Sequence, residues 1–525
     1  MGTEQLLFHK GLNWEARSCL SMPGYLKQAQ NILFEVEGKQ TLRPSFYAVN
    51  STALSSIHSI KKFGSTLFAG SGGTLYGDFT SLYTSFASDP WFWSKYKDFL
   101  LGVNGTDFAL VDEDKNLYNG RIDAPTTAAS GTAGAAGNPS GHYMLYVSYL
   151  VTWPNGHMYE TGLSPASADV SVSSQAISWS AIPTMTYAAL YGTAPTIHRR
   201  LYRGPGTGGT IANIYYVTTI ADNTTTTYTD DLSDASLAAN DVCYVDLYAA
   251  PPISKYAVFH YGRLFMIPYV NCHRLWYSEP VGSSDADENE DLMPLAVTDT
   301  NWDDMRTTGI DYVDPQGLIS WGVNLFIPLK QTWIRKQGND PDTWGYKKTY
   351  ARHGIGAPHT IDMSRSPLGI IGVTNPEYSE PGLAIFTGQE SQIISSPKLD
   401  YVFNTDINIS SIAECRGKVS GPYYHLLYPS GSATSPDKHL ALDLRRFPDI
   451  RVSEWTDLHG VSIDADSQST NFYLGGSDGY ARLKGGSESI DVVVETNDLV
   501  GGSKEGVTVV KTLKQLKYAL LGTVT

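Results

Sequence analysis

The feature that most limits what this chain can fold into is a unit that returns from about residue 55 to residue 483. It is an apolar, Tyr-rich run of strand length, closed by a Gly or Asn turn. Residues 63–76, 99–110 and 257–267 each read strand, turn, strand, with Gly72-Gly73 and Asn104-Gly105 among the turns. Such pairs mark hairpins because primed turns need φ > 0 at their centre. Further copies occupy 318–335, 369–394, 413–444 and 461–483. A small antiparallel sheet repeated in this way can bury its faces only against neighbouring copies, so a radial or stacked array is expected. The four-stranded blade of a β-propeller fits best, with about six to eight blades. No crisp signature such as Trp-Asp marks the copies.

Composition agrees with an all-β fold. The chain has 49 Gly, 33 Tyr and 11 Trp but only 17% charged residues, the balance of many short strands and turns. At 525 residues it is long for one core, so two or three domains are expected. No run approaches the roughly 18 apolar residues of a membrane span. The first residues lack the basic start and apolar core of a secretory signal. Neither a membrane span nor a Sec signal is expected. The net charge of -15 argues against gripping nucleic acid, which requires clustered Lys and Arg. Cys19, Cys243, Cys272 and Cys415 are far apart and form no Cys-x-x-Cys pair, which suits scattered thiols in a protein assembled in a reducing cytosol.

The pattern changes along the chain suggest five segments. Residues 1–54 read as an irregular arm, 55–123 as the first part of the propeller, and 124–250 as an insertion. The insertion opens with a small-residue, uncharged linker over 124–141 and continues as an Ig- or fibronectin-like sandwich from Tyr143. Pro251-Pro252 ends it, 251–488 resumes the propeller, and 489–525 changes character again. The two ends are expected to form one small module outside the propeller, and a chain that leaves and re-enters a fold does so at an exposed loop.

A search for chemistry yields turn formers. Gly475-Gly-Ser-Asp-Gly479 matches the Gly-x-Ser-x-Gly pattern, yet a nucleophile elbow needs a strand running into a helix, and the flanks of Ser477 and Asp478 read as a hairpin. The same turn only faintly resembles a sialidase motif. Gly204, Gly206 and Gly209 fit Gly-x-Gly-x-x-Gly, but residues 211–220 are strand-like, so no helix N-terminus is available for a pyrophosphate. Five carboxylates over Asp285–Asp291 could ligate calcium, although the Gly of an EF-hand loop is missing and a solvated acidic loop is the plainer reading. The twelve His form no paired metal spacing. Sequons at Asn50, Asn104, Asn223 and Asn408 carry no weight without a signal. No catalytic residue, no cofactor-binding residue and no metal ligand is expected.

Taken in order, the segments resemble the propeller-bearing tail proteins of short-tailed phages, the nozzle or tail tubular protein B family. The opening over 22–44, with Asn31, a strand, a Gly turn and Arg43-Pro44, is similar to theirs, although Ser45 stands where they usually carry Gly. Residues 93–105 resemble their blade phrase of an aromatic, an apolar strand and Asn-Gly. Inside the insertion, 141–149, Asn155-Gly156, 160–164 and Arg200-Leu-Tyr-Arg203 are similar to theirs, as is the closing stretch 495–501 before 511–516. The order of these phrases is more specific than any one of them.

The resemblance implies a structural virion protein located in the tail and assembled in the host cytoplasm. It would be one subunit of a closed ring, hexameric in that family, below the adaptor and in contact with tail fibre or spike proteins. DNA would pass through the exit channel without specific binding, a passage that an acidic lumen, including the loop Asp285–Asp291, would favour. Two rival expectations remain: a receptor- or glycan-binding tail module with an exposed aromatic groove, and a propeller glycan hydrolase with converging carboxylates.

Overall fold

The computed structural model describes residues 26–34, 40–96, 98–186, 195–245, 249–278, 280, 301–310, 313–338, 341–465, 472–485, 490–496, 499–501 and 509–511. The chain divides into two compact units, Met1–Phe92 with Met305–Thr525, and Trp93–Asp304. The fold is all-β, and the one described α-helix is the single turn Asp234–Leu237.

Seven sheets built on antiparallel meanders are present among the described residues, six of them four-stranded and one extended to six strands. Sheet one comprises Ile57–Phe63, Thr66–Ser71, Thr74–Gly77 and Thr80–Tyr83; sheet two comprises Phe92–Tyr96, Phe99–Val103, Phe108–Asp112 and Leu117–Tyr118. Sheet three is Ser254–His260, Arg263–Pro268, Arg274–Tyr277 and Trp302–Asp304, and sheet four is Ile319–Trp321, Asn324–Pro328, Trp333–Gln337 and Gly345–Lys348. Sheet five is Asp362–Arg365, Leu368–Val373, Leu383–Phe386 and Ser391–Ile393; sheet six is built on Arg416–Ser420, Tyr423–Tyr428, Lys438–Asp443 and Arg451–Glu454. Gly460–Ala465, Phe472–Gly476 and Ala481–Lys484 make three strands of sheet seven.

Burial within a meander explains the near-continuous apolar runs. The second strands Thr66–Ser71, Phe99–Val103 and Phe472–Gly476 are buried at every position, whereas the outer strands Thr80–Tyr83 and Gly345–Lys348 are largely exposed. A strand covered on both faces loses the polar alternation that a half-solvated one keeps. The covering comes from the neighbouring sheet. In the first unit Trp333 of sheet four stacks on Phe386 of sheet five, 4.2 Å between ring centres and 8° between planes. Ile371 and Leu383 of sheet five share a core with Tyr424 and Leu440 of sheet six. Leu427 and Ala441 of sheet six pack with Phe472 and Leu474 of sheet seven. Tyr473 and Ala481 then meet Ile57 and Ala69 of sheet one. Each fully buried side chain of this size contributes roughly 1.5–3 kcal/mol. In the second unit Tyr96 of sheet two stacks on Phe259 of sheet three at 4.1 Å.

The described strands near the two ends of the chain are bonded to these sheets; the sequence suggested an irregular arm over residues 1–54 that joins 489–525 in a small module. Phe46–Ala48 pairs antiparallel with Ala481–Lys484 and supplies the fourth strand of sheet seven. Leu26–Gln30 lies beside Arg451–Glu454 in parallel, and Val493–Thr496 pairs antiparallel with it, so that sheet six has six strands. Leu499–Gly501 and Val509–Lys511 form a further hairpin, and residues 512–525 lie outside the described set.

The insertion is a six-stranded sheet built around one strand of 23 residues, Ser130–Thr152. Its first half pairs with Val170–Ser180 and its second with Thr196–Pro205, so one strand serves both halves. Tyr143, Val147, Ile177, Trp179 and Leu201 pack between them. The linker expected over 124–141 is therefore strand from Ser130 onward. Small side chains are required there: a Cβ on Gly131 would overlap the Trp179 ring and lie 2.7 Å from Val170 Cγ2.

Candidate functional site

The motifs singled out in the sequence serve as turns. Gly475–Gly479 joins Phe472–Gly476 to Ala481–Lys484 as a hairpin. The Ser477 N–H donates to the His459 carbonyl at 2.8 Å. Asp478 accepts from both terminal nitrogens of Arg482, one of them at 2.9 Å, and these hydrogen bonds hold its carboxyl below the usual range. At Gly479, φ is 79°, and a Cβ there would collide with the Leu54 carbonyl, so the position is reserved for glycine. Gly206 to Gly209 is likewise a tight turn closed by a 3.0 Å backbone bond and followed by the strand Tyr215–Ile220. The acidic loop Asp285–Asp291 and Cys19 lie outside the described residues. Cys415 is buried, and burial pushes its thiol up to about 12.

The polar groups that the fold does bring together form a repeated device that sequence reasoning missed. Asp362, on the first strand of sheet five, accepts from Lys418 Nζ at 3.1 Å and from the Val419 N–H at 2.8 Å, both on the first strand of sheet six. Asp464, on the first strand of sheet seven, accepts from Lys61 Nζ at 2.8 Å and the Lys62 N–H at 2.8 Å, on the first strand of sheet one. Each carboxylate thus bonds one ammonium and one backbone N–H of the next sheet. Burial works against the Lys418 ammonium, but Asp362 and Asp464 outweigh it and raise its pKa. A carboxylate committed in this way is a fastener between sheets and not a free general base. The spacing Asp-x-x with a distant Lys has no local signature, so no sequence signal exposed it.

A second polar centre joins the termini to the sheets. Asn31, buried and at φ 59°, accepts at its side-chain carbonyl from Arg43 Nε at 2.8 Å and from the Thr456 N–H at 2.9 Å. Its amide donates to Thr456 Oγ1 and to the Asp491 carbonyl, at 2.8 and 2.7 Å. Arg43 donates further to the carbonyls of Pro44 and Thr456. These are the Asn and Arg-Pro on which the resemblance rests.

In the second unit the Arg200-Leu-Tyr-Arg203 phrase places its charges on buried carboxylates. Glu160, fully buried, accepts from Arg200 at 2.9 Å, Tyr202 at 2.6 Å, Tyr244 at 2.7 Å and Ser148 at 2.5 Å. Arg203 pairs with Asp230 at 2.9 Å, both fully buried, and lies over the Tyr143 ring. Buried charge networks of this kind specify a core, although Arg203 Nε here has no hydrogen-bond partner. A cavity of about 500 Å³ in the same unit is lined by Asn119, Arg121, Asp123, Tyr149 and Thr184. Arg121 is tied to the Pro251 carbonyl and to Asp123, which leaves the cavity with no net charge from this pair. Among the described residues no group of three or more His, Cys, Asp or Glu is placed to hold a metal ion, and no helix is long and apolar enough to cross a membrane.

No family model and no curated protein matches the chain. Among solved structures it is similar to the extracellular domain of a one-component system protein, BT4673, from B. thetaiotaomicron, at 13% identity and TM-score 0.29 over 88% of this chain. The chain covers 57% of that domain's length. It is also similar to the computationally designed Ika8 protein, at 6% identity and TM-score 0.24, over 82% of this chain and 98% of the other. At such TM-scores neither likeness carries an argument.

Proposed function

We propose that this chain is a structural subunit of a short-tailed phage tail, one of the copies in a hexameric nozzle ring below the adaptor. Its meanders are read as the blades of a β-propeller and residues 124–250 as a module inserted between them. The observation that carries this reading is the completion of sheet seven by the N-terminal strand Phe46–Ala48. An N-terminal strand that completes the last sheet joins the two ends of the chain, as closure of a radial array of blades requires. The residues that support the resemblance, Asn31 and Arg43, tie the chain ahead of that strand to the end of sheet six. The inter-sheet carboxylates Asp362 and Asp464 are each engaged by a lysine and a backbone N–H, which favours assembly over hydrolysis. A net charge of -15 suits a conduit from which DNA must leave quickly.

Negative-stain electron microscopy of the purified full-length chain tests the assignment. Sixfold rings are expected, and removal of residues 489–525 should leave folded monomers. A chain that stays monomeric at every concentration, or rings that persist after the deletion, would count against it. Duplex DNA in low salt should not bind the ring; tight, salt-sensitive binding would replace the conduit with a DNA-handling protein.

A further inference from the structure

We propose that His425 and His439 form an acid-sensitive latch that holds the N-terminal strand Phe46–Ala48 in sheet seven. The two residues lie on neighbouring strands of sheet six, with His425 Nδ1 3.1 Å from His439 Nε2. They are only 3% and 4% exposed. Aromatic rings surround them: Trp455 lies 4.8 Å from His425 and 5.0 Å from His439, and Phe472 of sheet seven lies 4.3 and 6.0 Å away. Phe46 closes this cage by packing edge-on to both Trp455, at 6.2 Å, and Phe472, at 5.6 Å. The wall that separates the pair from solvent therefore includes a residue of the N-terminal strand.

The charged groups around the pair offer it no counter-ion. Asp443, on the strand of His439, is bound by Arg445 and Arg451. Lys418, opposite His425 in the register, is bound by Asp362, and Asp464 of sheet seven is bound by Lys61. The groups that act on the imidazoles are Lys484, beside His425, and Arg43, beside His439, both cations. His439 Nδ1 is buried without a hydrogen-bond partner. Its proton therefore belongs on Nε2, donating to His425 Nδ1, because an orphan lone pair costs less than an orphan N–H. A further proton on His425 Nδ1 would set two N–H groups face to face and leave an imidazolium among aromatic rings.

Burial, with Lys484 added, lowers His425 to about 3, and burial, His425 and Arg43 hold His439 well below its ordinary range. A cavity of about 60 Å³, lined by Phe46, Pro44, Tyr423 and Lys484, lies against His425. Withdrawal of Phe46 would open the cage so that water could solvate a charged ring. The open form then binds the extra proton with an ordinary pKa near 6.5 while the closed form refuses it. Closure is fully stable above about pH 6.5 and is progressively lost as pH falls toward 3.

Hydrogen exchange followed by mass spectrometry on the full-length protein, at pH 7.5 and 5.0 with times scaled for intrinsic rates, tests this. Peptides over 44–49 and 480–484 should lose protection about tenfold or more at pH 5.0, while Leu368–Val373 of sheet five keeps its own. The His425→Gln and His439→Gln variants, each measured singly, should show a weaker pH dependence in the same peptides. Equal protection of the wild type at both pH values would overturn the proposal without reference to any variant. An unchanged pH dependence in folded variants, or equal loss across sheet five, would also overturn it.

Discussion

Arg43 donates from Nε to the side-chain carbonyl of Asn31 at 2.8 Å, and that carbonyl also receives the N–H of Thr456 at 2.9 Å. One amide oxygen therefore ties two N-terminal segments to the end of sheet six. Arg43 is 5% exposed, and its two terminal nitrogens each donate to a backbone carbonyl, of Pro44 and of Thr456. The geometry is that of a planar fork, which a lysine cannot reproduce.

Arg43→Lys and Asn31→Ala should each destabilise the protein by about 1–3 kcal/mol, since each leaves buried polar partners unsatisfied. The double variant should cost less than the sum, because the two residues share one network. Urea unfolding of the four proteins measures both effects; full additivity would mean that the network is not cooperative.

The two carboxylate fasteners should behave alike. Asp362→Asn and Asp464→Asn each remove a charge-assisted bond to lysine while keeping the shape, and each should cost about 1–2 kcal/mol. They fasten different sheet pairs, five with six and seven with one, but both act on the Lys418 ammonium, so their effects should depart from strict additivity. Thermal melts of the single and double variants check this.

Gly131→Val should destabilise the insertion by about 1–3 kcal/mol, because the added atoms meet Trp179 and Val170. A solvated linker would accept the same substitution without effect. Limited proteolysis of the insertion, with Trp fluorescence, reads the difference.

Cys415 should resist alkylation. Its thiol is buried and pushed up to about 12, so at pH 8.5 almost none is thiolate while the protein is folded. Iodoacetamide labelling mapped by mass spectrometry should modify it only after denaturant is added, and rapid labelling of the native protein would contradict the burial.

Ser477→Ala and Asp478→Asn should change no turnover on ester or glycan substrates, since the turn ties Asp478 to Arg482 and the Ser477 backbone to His459. Ser477-dependent hydrolysis by purified protein would require a different account of this hairpin.

The strands and their hairpins were legible along the chain because their causes are local. Tyr- and Val-rich runs favour extended backbone, and Gly or Asn-Gly between them supplies the positive φ of a turn, as at Gly105 and Gly262. The Gly475–Gly479 hairpin was legible for the same reason. Residues 130–141 were not, because a run of Gly, Ala and Ser is consistent both with a solvated linker and with a strand in close approach. Trp179 and Val170, distant in sequence, decide for the strand. Likewise nothing near Phe46 announces that it pairs with residues beyond 480, and nothing near Lys61 points to Asp464, 403 positions away. Local pattern determines which segments extend and turn, whereas sheet partners and ion pairs are chosen by packing between segments that only the folded chain brings together.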